Sequence, residues 1–227
     1  PEKRGSAWAA VRVSATAERG MEMENVVFDM GGVLIKWTPD EVLDNAEVKG
    51  EEDRRILKRE VFFSQEWAMM DWGVLDEEEA ERIFSSRLPF RLHKYLHSIL
   101  YWDERIGFVE GMDQVLSYLS SQGKGIYLLS NASHRLNEYF PSFPFAHYFK
   151  DTVVSADYNR VKPEAELFRL ALSKFGIDAK DTLFVDDSPQ NVVGGRMIGM
   201  EGYLFRRDPE NLLSYITGSS SGQGPRH

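Results

Sequence analysis

The sequence predicts an α/β protein built on a parallel sheet. Short apolar runs alternate with longer amphipathic segments, and glycine or proline lies at many of the boundaries between them. A long segment after the first apolar run contains no strand-like pattern. Alternating strands and helices form a parallel sheet with helices on both faces, so the long segment is predicted to be an inserted helical domain.

Five apolar runs are the predicted strands, and they cover residues 26–28, 126–129, 152–154, 182–185 and 202–205. Amphipathic helices are predicted between them at residues 112–122 and 163–175. Pro163 suits the first turn of its helix, and Gly176 suits the position after the last turn. The pattern is typical of a Rossmann-like parallel sheet, which we assign to residues 23–37 and 103–217.

The insert covers residues 38–102, with helices predicted at 40–48, 51–63, 76–88 and 90–100. Because it directly follows the first strand, we expect it to fold over the sheet as a cap. Residues 1–22 lack a central apolar stretch and are predicted to be a disordered leader. Residues 218–227 are rich in glycine and serine and are predicted to be a flexible tail.

The composition narrows the class of protein. Hydrophobic residues make up 42% of the chain and charged residues 28%, which is typical of a globular protein. The net charge of −9 argues against nucleic-acid binding, and the lack of cysteine excludes disulfides and thiol chemistry. No apolar run reaches the roughly 20 residues of a membrane-spanning helix. We therefore expect a cytoplasmic protein without membrane partners, and no motif indicates an oligomeric state.

Polar residues follow four of the predicted strands: Asp29, Ser130 with Asn131, Lys162, and Asp186 with Asp187. The carboxyl ends of parallel strands border one crevice, so these side chains are expected to converge. Three carboxylates repel one another unless a cation joins them, and an all-oxygen set suits Mg²⁺. A lysine before a helix suits an anion. Together they predict phosphoryl transfer through an aspartyl-phosphate on Asp29.

Four segments resemble the motifs of the haloacid-dehalogenase-like hydrolases, in the order of that family. They are Phe28-Asp29-Met30-Gly31-Gly32-Val33-Leu34, Leu129-Ser130-Asn131, Val161-Lys162-Pro163-Glu164 and Phe184-Val185-Asp186-Asp187-Ser188. The resemblance extends over residues 24–205 and is greatest to the glucose-1-phosphate phosphatase-like group, which has a small helical cap in the same place. It implies a phosphatase that acts on a small phosphorylated metabolite, such as a sugar phosphate or a nucleotide.

The resemblance implies a nucleophile and a set of metal ligands. Asp29 matches the nucleophile, which is also a metal ligand, and Gly31 matches the position whose backbone carbonyl binds Mg²⁺. Asp187 matches the direct acidic ligand of the metal, and Asp186 matches an assisting one. Asn191 matches a residue outside the ligand shell.

Substrate contacts are implied at three further positions and suggested at a fourth. Ser130 matches the phosphate-binding hydroxyl, Asn131 the residue beside it, and Lys162 the phosphate-binding lysine. Trp72 lies at a predicted turn of the cap, where it could reach the substrate, whereas Trp67 is expected to pack in a core.

Gly31 departs from the pattern of most phosphatases in the superfamily, where an aspartate protonates the leaving oxygen and later activates water. General acid–base help of this kind is worth about 10²- to 10⁴-fold in rate. Two alternatives therefore stay open: a catalytically weak or silent binding protein, and a metal-independent dehalogenase. The intact Asp186-Asp187 pair argues against the dehalogenase.

Overall fold

The computed structural model describes residues 23–218 as a five-stranded parallel sheet with helices on both faces. The strands are β1 (Asn25–Phe28), β2 (Gly125–Ser130), β3 (Asp151–Val154), β4 (Thr182–Asp186) and β5 (Glu201–Leu204), in the spatial order β3-β2-β1-β4-β5. The predicted leader and nearly all of the predicted tail lie outside the described residues. The predicted α/β class with a parallel sheet is confirmed.

The three central strands end within two residues of one level of the sheet. In the register, Phe28 of β1 is paired with Leu128 of β2 on one side and with Val185 of β4 on the other. These strands are buried almost throughout, which explains their uninterrupted apolar sequences. The residues that follow this level, Asp29 and Asp186 among them, are therefore brought to one edge.

Helices cover both faces of the sheet through separate apolar clusters. On one face lie α6 (Met112–Ser121), α7 (Leu136–Tyr139) and α10 (Pro209–Thr217), while α8 (Ala165–Phe175) and α9 (Pro189–Met197) cover the other. Gly176 ends α8 in the left-handed conformation, with φ of 66°. The helix begins at Ala165, so Pro163 precedes its first turn, contrary to the prediction. The backbone of Lys162 is hydrogen-bonded to Asn131 and leaves the helical path there.

The insert between β1 and α6 is helical and has an apolar cluster of its own. Its helices are α1 (Pro39–Asn45), α2 (Glu51–Leu57), α3 (Gln65–Asp71), α4 (Glu77–Arg87) and α5 (Leu96–Leu100). Leu43, Leu57, Phe84 and Leu96 are fully buried in this cluster. We refer to the insert below as the cap.

Two predicted cap helices are subdivided, and one helix was not predicted. A π-helical turn, Lys58–Phe62, follows α2, and a 3₁₀ segment, Phe90–Tyr95, precedes α5. The unpredicted helix is α3, whose start is marked by the Ser64 hydroxyl accepting a hydrogen bond from the Trp67 backbone N–H at 3.2 Å. No helix in the described range is long and apolar enough to cross a lipid bilayer.

Candidate active site

A buried lysine joins two carboxylates at the edge of the sheet. The Nζ atom of Lys162 donates to Asp29 Oδ1 at 2.7 Å, to Asp186 Oδ2 at 2.8 Å and to the Leu129 carbonyl at 2.9 Å. All three ammonium protons are thereby used. Lys162 is 4% exposed and Asp186 is 0% exposed, so water does not weaken these ion pairs.

Asp186 and Asp187 are adjacent in sequence but differ in surroundings. Asp186 accepts hydrogen bonds from the Ser188 backbone N–H at 2.8 Å and from Asn191 Nδ2 at 3.1 Å, in addition to the one from Lys162. Asp187 is exposed toward the crevice. One carboxylate oxygen each from Asp29, Asp186 and Asp187 lies within 4.8 Å of the others. The sequence predicts that these carboxylates converge, and in the structure they lie close together.

Asn131 holds Lys162 in place through the lysine backbone. Its Oδ1 atom accepts from the Lys162 backbone N–H at 2.8 Å, and its Nδ2 atom donates to the Lys162 carbonyl at 3.1 Å. Both ends of the amide are therefore engaged, although Asn131 also borders the crevice. The arrangement fits a positioning role better than the predicted substrate contact. Ser130 ends β2 and lines the crevice.

The site has an excess of negative charge. Burial raises the pKa of Asp29 to about 7 against the opposing effect of Lys162, and the charges of Asp186 and Asp187 add to the rise. Burial also raises the pKa of Asp187, with Asp186 adding to it. Burial opposes the charge of Lys162, but its two carboxylate partners outweigh this and raise its pKa. The single positive charge of Lys162 does not balance three carboxylates, so a cation would be stabilised beside them. An all-oxygen donor set fits Mg²⁺.

Two adjacent glycines after Asp29 have different structural requirements. Gly32 has φ of +71°, and a Cβ atom there would lie 2.1 Å from Asp187 Oδ2. The φ angle of Gly31 is not in the positive range that favours glycine. A Cβ atom there would make only an ordinary contact, with Trp37 Cβ at 3.8 Å. The position that only glycine fits is thus Gly32, and Gly31 has room for a side chain.

A cavity of about 360 Å³ lies between the crevice and the cap. Its walls include aromatic rings from both parts of the chain, with centroid separations of 5.9 Å for Trp37–Trp67, 6.1 Å for Trp37–Trp102 and 5.3 Å for Trp102–Tyr139. Charged groups on the walls beyond the motif residues are Asp71, Glu77 and Arg135. Sequence reasoning missed these residues because no family motif includes them.

One face of α3 contributes three of the wall residues, Trp67, Met70 and Asp71. Their i, i+3, i+4 spacing places them on the same side of the helix. Trp72, by contrast, does not line the cavity, and its side chain is 41% exposed. Successive helical residues are about 100° apart, so Trp72 is turned away when Asp71 faces inward. The structure thus corrects the expected role of Trp72. Trp67 packs against the apolar cluster of the cap, as expected, and in addition lines the cavity.

Residues 23–199 match the haloacid dehalogenase-like hydrolase family, and the chain belongs to that family. Among its relatives, a D-ribitol-5-phosphate phosphatase from Bacteroides thetaiotaomicron is 25% identical over 206 residues, covering 83% of this chain and 93% of that protein. The sesquiterpene phosphatase astK from Aspergillus oryzae is 24% identical, covering 78% of this chain and 86% of that protein.

A solved structure with a similar fold is that of a HAD family enzyme from Bacteroides thetaiotaomicron in complex with magnesium and inorganic phosphate. Its TM-score is 0.65 at 22% identity, and the alignment covers 84% of this chain and 98% of that one. At this level of identity the likeness shows the fold.

Proposed function

We propose that this chain is a Mg²⁺-dependent phosphatase that hydrolyses a small phosphomonoester through an aspartyl-phosphate on Asp29. The observation that carries the proposal is the Asp29–Lys162–Asp186 arrangement at the sheet edge, with Asp187 beside it. A buried carboxylate that lines the cavity and accepts a hydrogen bond from a lysine can attack phosphorus. Two relatives named as phosphatases support this chemistry.

Each residue of the site has a defined task in this proposal. Asp29 attacks phosphorus, Ser130 binds a phosphoryl oxygen, and the positive charge of Lys162 beside Asp29 offsets the charge of the phosphoryl group. Asp29, the Gly31 carbonyl and Asp187 would hold Mg²⁺, with Asp186 assisting. When bound, the ion would offset the repulsion between the nucleophile and the phosphate. Asn131 maintains the position of Lys162.

The walls of the cavity support a ring-containing leaving group. Its volume of about 360 Å³ suits a small molecule, and its aromatic rings can pack against a flat or apolar face. A sugar phosphate or a nucleotide, as the sequence suggested, meets these requirements. Membership of the glucose-1-phosphate phosphatase-like group and a cytoplasmic location stay predictions.

The decisive experiment measures phosphate release from p-nitrophenyl phosphate and from a panel of phosphorylated metabolites. We expect turnover by the wild type with Mg²⁺, its loss in EDTA, and its recovery when Mg²⁺ is restored. Asp29→Asn should abolish turnover because an amide is not a nucleophile. Asp113→Asn, which changes an exposed acid on α6, is the matched control and should retain activity.

Three results would contradict the proposal, each in a different way. Activity of Asp29→Asn equal to that of the wild type would remove the covalent step. Full activity in EDTA would remove the metal requirement and favour a dehalogenase-like reaction. A wild-type protein that binds phosphorylated compounds without hydrolysing any of them would favour the silent binding protein.

A further inference from the structure

The proposed reaction lacks a proton donor among the motif residues. When the phosphorus–oxygen bond of the substrate breaks, the leaving oxygen needs a proton unless it is stable as an anion. Gly31 has no side chain to supply it. A group elsewhere on the cavity wall must therefore serve, and five ionisable residues beyond the predicted metal ligands line the cavity: Asp71, Glu77, Arg135, Tyr139 and Lys162.

Four of these five are unsuited to the role. Lys162 uses its ammonium protons in three hydrogen bonds. Arg135 is an ion-pair partner of Asp103 at 2.8 Å and does not release protons in proteins. Burial raises the pKa of Tyr139 well above its usual range, which makes it a poorer acid. Glu77 already accepts a hydrogen bond from the Ser133 hydroxyl.

The remaining group, Asp71, is anchored to the core by the backbone around it. The Ser155 hydroxyl donates to the Asp71 carbonyl at 2.6 Å, and Asn159 Nδ2 donates to the Trp72 carbonyl at 2.8 Å. The next residue, Gly73, has φ of +70° and lies so close to the core that a Cβ atom would be 2.2 Å from the Ala156 carbonyl oxygen. The end of α3 is thus fixed to the core at the crevice.

The side chain of Asp71 is available for reaction. Its carboxyl group has no hydrogen-bond partner within the described range, and the only buried unpartnered side-chain atom there is Trp37 Nε1, so the Asp71 oxygens open into the cavity. The charged groups that act on it are Asp29 and Glu77, which favour its protonated form, and Lys162, which opposes it. Burial, with Asp29 next, raises the pKa of Asp71 to about 7, so it can hold a proton near neutral pH.

We propose that Asp71 of the cap is the general acid that protonates the leaving oxygen, the task that Gly31 cannot perform. This inference rests on the proposed phosphatase function. As Asp29 forms a bond to phosphorus, the bond to the leaving oxygen breaks, and that oxygen takes the Asp71 proton to leave as a neutral alcohol. The Asp71 carboxylate then accepts a proton from the water that hydrolyses the aspartyl-phosphate, which restores the starting state.

The test compares leaving groups in the wild type and in Asp71→Asn. The measured quantity is kcat/KM, which reports steps up to the release of the first product. Substrates are p-nitrophenyl phosphate, whose leaving group needs no proton, and glycerol 1-phosphate, whose leaving group does. We expect Asp71→Asn to lower kcat/KM for glycerol 1-phosphate by about 10²- to 10⁴-fold and to change that for p-nitrophenyl phosphate little.

Three controls separate proton donation from charge and from folding. Glu78→Gln removes an equal charge from the exposed surface of the cap and should behave as the wild type. Asp71→Glu retains the acid and should recover part of the lost activity on glycerol 1-phosphate. Asp71→Ser tests the same loss if the asparagine variant does not fold.

Different failures of this test point to different errors. Equal kcat/KM in the wild type and Asp71→Asn for both substrates would overturn the role of Asp71, as would an equal loss on both. A selective loss in Glu77→Gln, but not in Asp71→Asn, would transfer the role to Glu77. A wild type that releases no phosphate even from p-nitrophenyl phosphate would overturn the proposed function itself.

Discussion

Gly32 offers a quantitative test of how the first motif supports the metal site. In Gly32→Ala the new Cβ atom would begin 2.1 Å from Asp187 Oδ2, whereas Cβ contacts below 3.0 Å are essentially unknown. The carboxylate must therefore move by about 0.9 Å, from 2.1 to 3.0 Å. Metal–ligand distances tolerate deviations of only about 0.2 Å, so ligation by Asp187 should be lost.

The Gly32→Ala substitution should also lower the stability of the folded protein. A Cβ atom at positive φ costs about 1–2 kcal/mol, which corresponds to a decrease in Tm of roughly 2–8 °C for a chain of this size. Gly31→Ala is the matched control, because its Cβ atom has room at 3.8 Å from the nearest atom. We expect Mg²⁺ affinity, measured by isothermal titration calorimetry, to fall by more than about 10-fold in Gly32→Ala and to be unchanged in Gly31→Ala. Wild-type affinity in a folded Gly32→Ala variant would refute the assignment of Asp187 as a ligand.

Three further substitutions test other parts of the structure. Asn131→Ala removes two hydrogen bonds to the Lys162 backbone and should lower the free energy of unfolding by about 2 kcal/mol in urea titrations; no change would show that these bonds contribute nothing. Trp67→Phe should alter the ranking of substrates by KM and Trp72→Phe should not, while the reverse result would restore the expectation from sequence. The Asp71 pKa is raised from 3.8 to about 7 in the folded state, so its stabilising contribution is present below pH 3.8 and lost as the pH rises through about 7. Asp71→Asn should therefore gain stability relative to the wild type as the pH rises from about 4 to about 7, by up to about 4 kcal/mol. A difference in stability that does not vary with pH would contradict this reasoning.

The convergence of the motif residues could be predicted because it follows from sheet geometry. Asp29 and Asp186 each come at the end of an apolar run, and parallel strands place such ends at one edge. The different surroundings of Asp186 and Asp187 could not be predicted. They depend on which side chain turns toward Lys162 and Asn191, and on the folded packing of β4 against its neighbours.

The cap was less predictable than the core. Its helices are short, and their ends depend on contacts with the core as well as on local sequence, as the π-helical turn Lys58–Phe62 after α2 illustrates. The missed helix α3 is seven residues long and is held at its end by Ser155 and Asn159, which lie more than 80 residues away in sequence. Trp67 and Asp71 belong to this helix, so their place in the cavity was missed with it.

The amino-acid sequence was enough to predict the α/β class, the alternation of strands and helices, and the set of polar residues at the strand ends. These features follow from local apolar patterning and from the ends of parallel strands, which are properties of short segments. Three features became visible only in the folded structure: Asn131 positions Lys162, a side chain cannot occupy position 32, and Asp71 faces the crevice. Each of these depends on distances between segments far apart in the chain. The first two distances exist only once the strands of the core have come together, and the third only once the cap has packed against the sheet.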